Sequence, residues 1–221
     1  VFAAVSANPL KVKQMRGLRC EVKQAGEDFD AAKAAAAQWT REDGALFIED
    51  GRVPAISEGA GSIAVELLST NHTFDAILVP LGNGALLNGI ARWTKAHAPQ
   101  TRVIGVSSAH ASAMHDSWKS GRIVEHTSAN TIADGIAVRV PIPEAVADMD
   151  GIVDDVLLVA EASLQAAMKL LFEEERLVVE PSGAAGIAAL LEYPDVAYGK
   201  IATILCGGNM TQEQIRTWLT N

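Results

Sequence analysis

Ala76-Ile77-Leu78-Val79-Pro80-Leu81-Gly82-Asn83-Gly84-Ala85-Leu86-Leu87-Asn88-Gly89-Ile90 passes from an unbroken apolar run into a turn of small residues and then into a helical pattern. A short apolar run without alternation is what a strand shows when both its faces are covered, as in a parallel sheet packed between helices. Small residues in the turn let backbone N–H groups converge on an anion, and the helix N-terminus behind them adds partial positive charge. The turn holds no lysine, so it is not a P-loop. No acidic residue ends the next apolar run, residues 102–106, as the dinucleotide fingerprint requires. Taken alone, the glycines fit a phosphate cradle and a plain tight turn equally well.

Outward from this stretch the chain alternates. Strands or extended segments are expected at residues 1–5, 21–23, 45–48, 76–80, 102–106, 155–159 and 200–205. Between them, helices are expected at 9–18 behind the cap-like Asn8, then at 28–40, through 63–68, and at 86–97, 111–119, 161–175, 183–191 and 212–219. Strands separated by helices predict βαβ units and therefore a doubly wound, mostly parallel α/β sheet with right-handed crossovers. Gly51, Pro54 and Gly59 fall close together, which places a crossing between two lobes within residues 45–60 and gives expected units of 1–50 and 51–221.

The 221 residues are 49% hydrophobic and 20% charged, the balance of a chain able to bury a core. A net charge of −9 with no basic patch argues against nucleic acid or an anionic membrane as partner. No apolar stretch approaches the ~20 residues that span a bilayer. Cys20 and Cys206 are far apart and in no metal-like spacing, which fits reduced thiols. Val1 opens without a basic leader, so a cytoplasmic location is expected. His110 and His115 are five apart, wrong for a shared ligand face on a helix, and read as solvated or capping histidines.

Further segments follow the glycine turn in order: Ile132-Ala133-Asp134-Gly135-Ile136-Ala137-Val138, then Val179-Glu180-Pro181-Ser182-Gly183-Ala184-Ala185, then Leu205-Cys206-Gly207-Gly208-Asn209. Ahead of it stand Ala7-Asn8-Pro9-Leu10-Lys11-Val12, Met15-Arg16-Gly17-Leu18-Arg19-Cys20-Glu21-Val22 and the glycine-rich helix start within residues 56–66. Together they resemble the serine/threonine dehydratase family of pyridoxal-phosphate enzymes, of the tryptophan-synthase-β-like fold type II. The resemblance covers nearly the whole chain.

That resemblance implies a two-lobed fold, with residues 1–50 as a remnant of the smaller lobe and 51–221 as the larger. It implies pyridoxal 5′-phosphate as cofactor, its phosphate held by the main-chain amides of Gly82, Asn83, Gly84, Ala85 and Leu86. Asn83 and Ala85 depart from the family's run of glycines. Cys206 falls where the family places a Ser or Cys facing the pyridine nitrogen; read as a residue alone, a small buried group at a strand end is the lesser alternative. Glu180 and Gly135 match positions lining the cofactor cleft, and Asn209 would order the loop around Cys206. Some members carry an acidic pair after the strand corresponding to residues 102–106. Here residues 107–113 hold no carboxylate, so no metal is expected.

The resemblance also implies a dehydratase, or ammonia-lyase, turning L-threonine or L-serine into a 2-oxo acid and ammonia, and a homodimer or larger. Serine racemase-like and threonine synthase-like activities stand beside it, as does a non-catalytic fragment that serves in binding or assembly. The family's Schiff-base lysine would lie upstream of the segment matching Val1. None of the lysines in this sequence has its Ser-x-Lys-x-Arg context, and Lys11 and Lys13 are expected on a peripheral helix. The lysine-bearing segment would then belong to the same polypeptide, to a second one, or to neither.

Overall fold

A computed structural model describes residues 1–220; Asn221, the end of the expected second unit, lies outside them. The elements run β1 (Phe2–Ala3), α1 (Pro9–Gly17), β2 (Lys23–Gln24), α2 (Phe29–Asp43), α3 (Pro54–Leu68), β3 (Ala76–Pro80), α4 (Ala85–His97), β4 (Arg102–Ser108) and α5 (Ala113–Ser120). A 3-10 turn (Asp134–Ile136) then precedes α6 (Pro143–Asp148), β5 (Asp155–Val159), α7 (Glu161–Glu175) and α8 (Ala185–Glu192). A second 3-10 turn (Pro194–Ala197), β6 (Ile201–Thr203) and α9 (Gln212–Leu219) complete the order.

The expected α/β architecture is present. β3 to β6 form one parallel sheet in the order β5-β4-β3-β6. All of β3 is buried because its side chains alternate between two cores. Ile77 and Val79 pack with Leu87, Ile90 and Met114 on one face, whereas Ala76 and Leu78 pack with Leu164, Met168 and Ala188 on the other. The chain steps outward from β3 to β4 to β5 and then returns to the far side of β3 with β6. This order reverses between β3 and β6, and in open parallel sheets the crevice at the carboxyl ends of such a strand pair is where ligands bind. The fold therefore points to the segments after Pro80 and after Thr203.

β1 and β2 pair only with each other. α2 fastens this region to the remainder. Its N-cap Asp28 accepts from Ala31 N–H at 2.8 Å and also binds the guanidinium of Arg139. The buried Asp30 accepts from the N–H groups of Arg139 and Val140 at 3.0 and 3.3 Å and faces Lys33 at 3.1 Å.

Some elements differ from the sequence reading. Residues 45–48 form no strand. α3 begins at Pro54, a residue preset for a first helical turn, just ahead of the helix start expected within residues 56–66. Gly61 serves packing: a Cβ there would sit 2.9 Å from the Gly89 carbonyl oxygen of α4. α6, a single short stretch behind Pro143, was not expected. β6 ends at Thr203, so residues 204–206 already leave the sheet. No helix among the described residues is long and apolar enough to cross a membrane.

Candidate functional site

β3 delivers the chain to Leu81, whose N–H still bonds the Val106 carbonyl at 2.8 Å, and then releases it. Gly84 takes φ +96°, a left-handed conformation that a residue with a Cβ adopts only at a cost, and it N-caps α4 without any side-chain bond. Among the described residues, no acceptor bonds the N–H groups of residues 82–87; the first amide with a partner is Asn88, to Gly84 O at 2.8 Å. A row of free donors at a helix N-terminus, with no lysine beside it, suits a doubly charged phosphate oxygen cluster.

Facing this turn are three further segments. Gly135 N–H donates to Ser182 Oγ at 2.9 Å, which joins the 3-10 turn to the segment ahead of α8. Glu180 Oε2 accepts from Asn209 N–H at 3.0 Å, and Glu180 N–H donates to Gly207 O at 3.1 Å, which fixes the loop after β6. Gly183 is there for close approach: a Cβ would lie 1.6 Å from the Cys206 carbonyl oxygen. Burial pushes the half-buried Cys206 thiol above its ordinary pKa, and the Glu180 carboxylate adds to this, so the thiol stays neutral at physiological pH.

Gly82, Asn83, Gly84, Ala85, Leu86, Gly135, Glu180 and Cys206 all border one cavity of about 170 Å³. The structure thus brings together every residue that the sequence singled out for contact with the cofactor. Larger hollows exist, including one of about 700 Å³ on the outer faces of α3 and α4 beside Trp93 and His97. That one lies away from the carboxyl ends of the strands and has no set of converging backbone donors, so the smaller cavity is the better site.

Several residues of the wall were not foreseen. Asp50 borders the cavity and accepts from Asn83 Nδ2 at 3.0 Å. Ser182 sat inside a quoted motif without a role. The expected peripheral position of α1 holds for the exposed Lys13 but not for Lys11, whose Nζ lies 3.0 Å from Asp134 Oδ1 and 3.5 Å from Glu180 Oε1. Asn209 does order the loop near Cys206, through Glu180 and through its carbonyl, which accepts from Asn8 Nδ2 at 2.8 Å. His110 is exposed near Glu161, while His115 and His126 both pair with Asp116 at 2.8 and 3.0 Å. Among the described residues no cluster of His, Cys, Asp and Glu is arranged to hold a metal.

Known proteins share this sequence and geometry. The family described as pyridoxal-phosphate dependent enzyme matches residues 1–207. An L-threonine ammonia-lyase of Geobacter sulfurreducens is 39% identical over 217 residues, covering 97% of this chain and 54% of that protein. Among solved structures, the processed form of threonine deaminase isoform 2 from Solanum lycopersicum superposes with a TM-score of 0.89 at 30% identity, over 98% of this chain and 60% of that one. Maize serine racemase gives 0.87 at 27% identity, over 98% and 67%. The chain spans between about a third and about half of the length of the curated relatives it matches.

Proposed function

The chain belongs to the family of pyridoxal-phosphate dependent enzymes, and we propose that it forms the phosphate-binding part of a dehydratase acting on L-threonine or L-serine, with a 2-oxo acid and ammonia as products. The carrying observation is the open row of amides in residues 82–87, set across one cavity from the neutral thiol of Cys206. Pyridoxal 5′-phosphate, when bound, supplies an electron sink for charge developing at the substrate α-carbon. Everything else follows from the chain's own groups.

The N–H groups of Gly82, Asn83, Gly84, Ala85 and Leu86 would hold the phosphate, with the N-terminus of α4 favouring its charge. Cys206 would face the ring nitrogen. A thiol held neutral by burial would donate only weakly and bring no charge to that nitrogen, which would favour prompt departure of a β-hydroxyl. Gly135 lets its turn approach the segment ahead of α8 closely enough for the Ser182 bond, since a Cβ there would be 2.8 Å from Ser182 Oγ. Glu180 would line the same edge.

We read residues 1–50 as part of a smaller lobe and 51–221 as the larger one. The protein as a whole would be a cytoplasmic homodimer or larger assembly. A serine racemase-like reaction is the second reading, favoured by the likeness to maize serine racemase. The test is incubation of the protein expressed from its complete gene with L-threonine and L-serine. Formation of 2-oxobutyrate or pyruvate with equimolar ammonia supports the dehydratase; D-serine as the main product would replace it with the racemase.

A further inference from the structure

The first turn of α1 grips the cavity wall from outside. Lys11 Nζ donates to both carboxylate oxygens of Asp134 at 3.0 Å and lies 3.5 Å from Glu180 Oε1. One turn earlier, Asn8 Nδ2 donates to Asn209 O at 2.8 Å, while Asn209 N–H donates to Glu180 Oε2 at 3.0 Å. Segments 134–136, 180–182 and 206–209 come from distant parts of the sequence, and these contacts join all of them to α1. The Glu180 side chain is only 11% exposed, so its charge needs partners; among the described residues it has, beyond Lys11, the Asn209 N–H alone.

We propose that Lys11 is a positioning residue for this cavity: its ammonium holds the Glu180 carboxylate and the Asp134 turn in place and offsets their negative charge where they border Cys206 and Gly135. The inference rests on the proposed function only in taking the cavity for a cofactor site. α1 thereby sets the electrostatics of the ring end of the site, and a segment that looks remote from the chemistry in sequence controls its polarity. Glu180 acts on Cys206 directly, Asp50 borders the same cavity, and Lys11 pairs with both Glu180 and Asp134.

The test reads the thiol and needs no cofactor, so it is decided separately from the proposed function. In a Cys20→Ser background, the rate of Cys206 alkylation by iodoacetamide is followed from pH 7 to 10. With Lys11→Met the uncompensated carboxylate disfavours the thiolate, so the pH midpoint rises and the rate at pH 8 falls by roughly threefold. Lys11→Arg should restore the native profile and Lys13→Met should leave it unchanged. In a Glu180→Gln background Lys11→Met should lose most of its effect, because, of the two charges Lys11 offsets, the one that acts on Cys206 is gone and only Asp134 remains. Lys11→Gln, which keeps a donor but no charge, gives the same readout should Met disturb folding. A rate that rises with Lys11→Met would mean that Lys11 only props the loop closed, and an unchanged profile would mean that it does not act on the site; either overturns the proposal.

Discussion

Asn83 Nδ2 donates to Asp50 Oδ1 at 3.0 Å, so the turn that follows β3 is tied to the turn that precedes α3. Asn83 is 6% exposed, and its Oδ1 has no partner among the described residues. Asp50→Ala would leave the amide with a buried donor unpaired as well, at a cost of ~1–2 kcal/mol. Asn83→Gly removes both orphaned groups together. The double variant should therefore be less destabilised than the two single effects added, which urea unfolding of all four proteins would measure.

α3 and α4 pack through glycine. A Cβ at Gly89 would lie 2.0 Å from Ser57 O and 2.7 Å from Gly61 N, and helix backbone cannot yield that far. Gly89→Ala should cost ~3 kcal/mol or more, through displacement of α3. Gly59, on an open face of α3 with nothing within 4 Å of a Cβ, is the control. Gly59→Ala should gain ~0.5–1 kcal/mol from helix propensity. Thermal unfolding should move in opposite directions for the two.

The guanidinium of Arg139 beside Asp28 holds its carboxyl below the usual aspartate range. The folded state thus binds this proton less readily than the unfolded one, whose aspartate titrates near ~3.9. The stabilisation is complete above that value and is lost as pH falls through the lower, folded pKa. Since the Asp28 side chain is 44% exposed, its worth is no more than ~1 kcal/mol. Asp28→Asn should lower stability at pH 7 by about that amount and flatten the acid limb of the stability curve, while Asp28→Ala should lose a further ~1 kcal/mol with the helix cap. Denaturant titrations between pH 2.5 and 7 would reveal both.

Where a signal is local, the sequence predicts the structure closely. β3, β5, α7 and α9 begin and end where the apolar runs and helical periods do, and α9 carries a capping box between Thr211 and Gln214. The glycine turn announced its own open amides. Failures came where tertiary contact overrides local preference. Gly61 of α3 serves its approach to α4, a contact that nothing in the local sequence announces. Leu46 and Ile48 suggested a strand but stay exposed, and among the described residues they pair with no strand. The Lys11–Glu180 and Asp50–Asn83 contacts join residues 169 and 33 positions apart, and pairs so distant leave no local signature.

The central claim is that residues 82–86 recognise a phosphate on a pyridoxal ring. Equilibrium dialysis of the chain against pyridoxal 5′-phosphate and against pyridoxal, which lacks only the phosphate, tests it most directly. The native protein should retain the phosphorylated form at least tenfold more tightly, since charge-assisted bonds to several amides each contribute ~1.5–3 kcal/mol. Gly84→Val, which strains the φ +96° turn and misaligns those amides, should erase most of that preference. Equal retention of the two compounds, or a preference that survives Gly84→Val, would contradict the account.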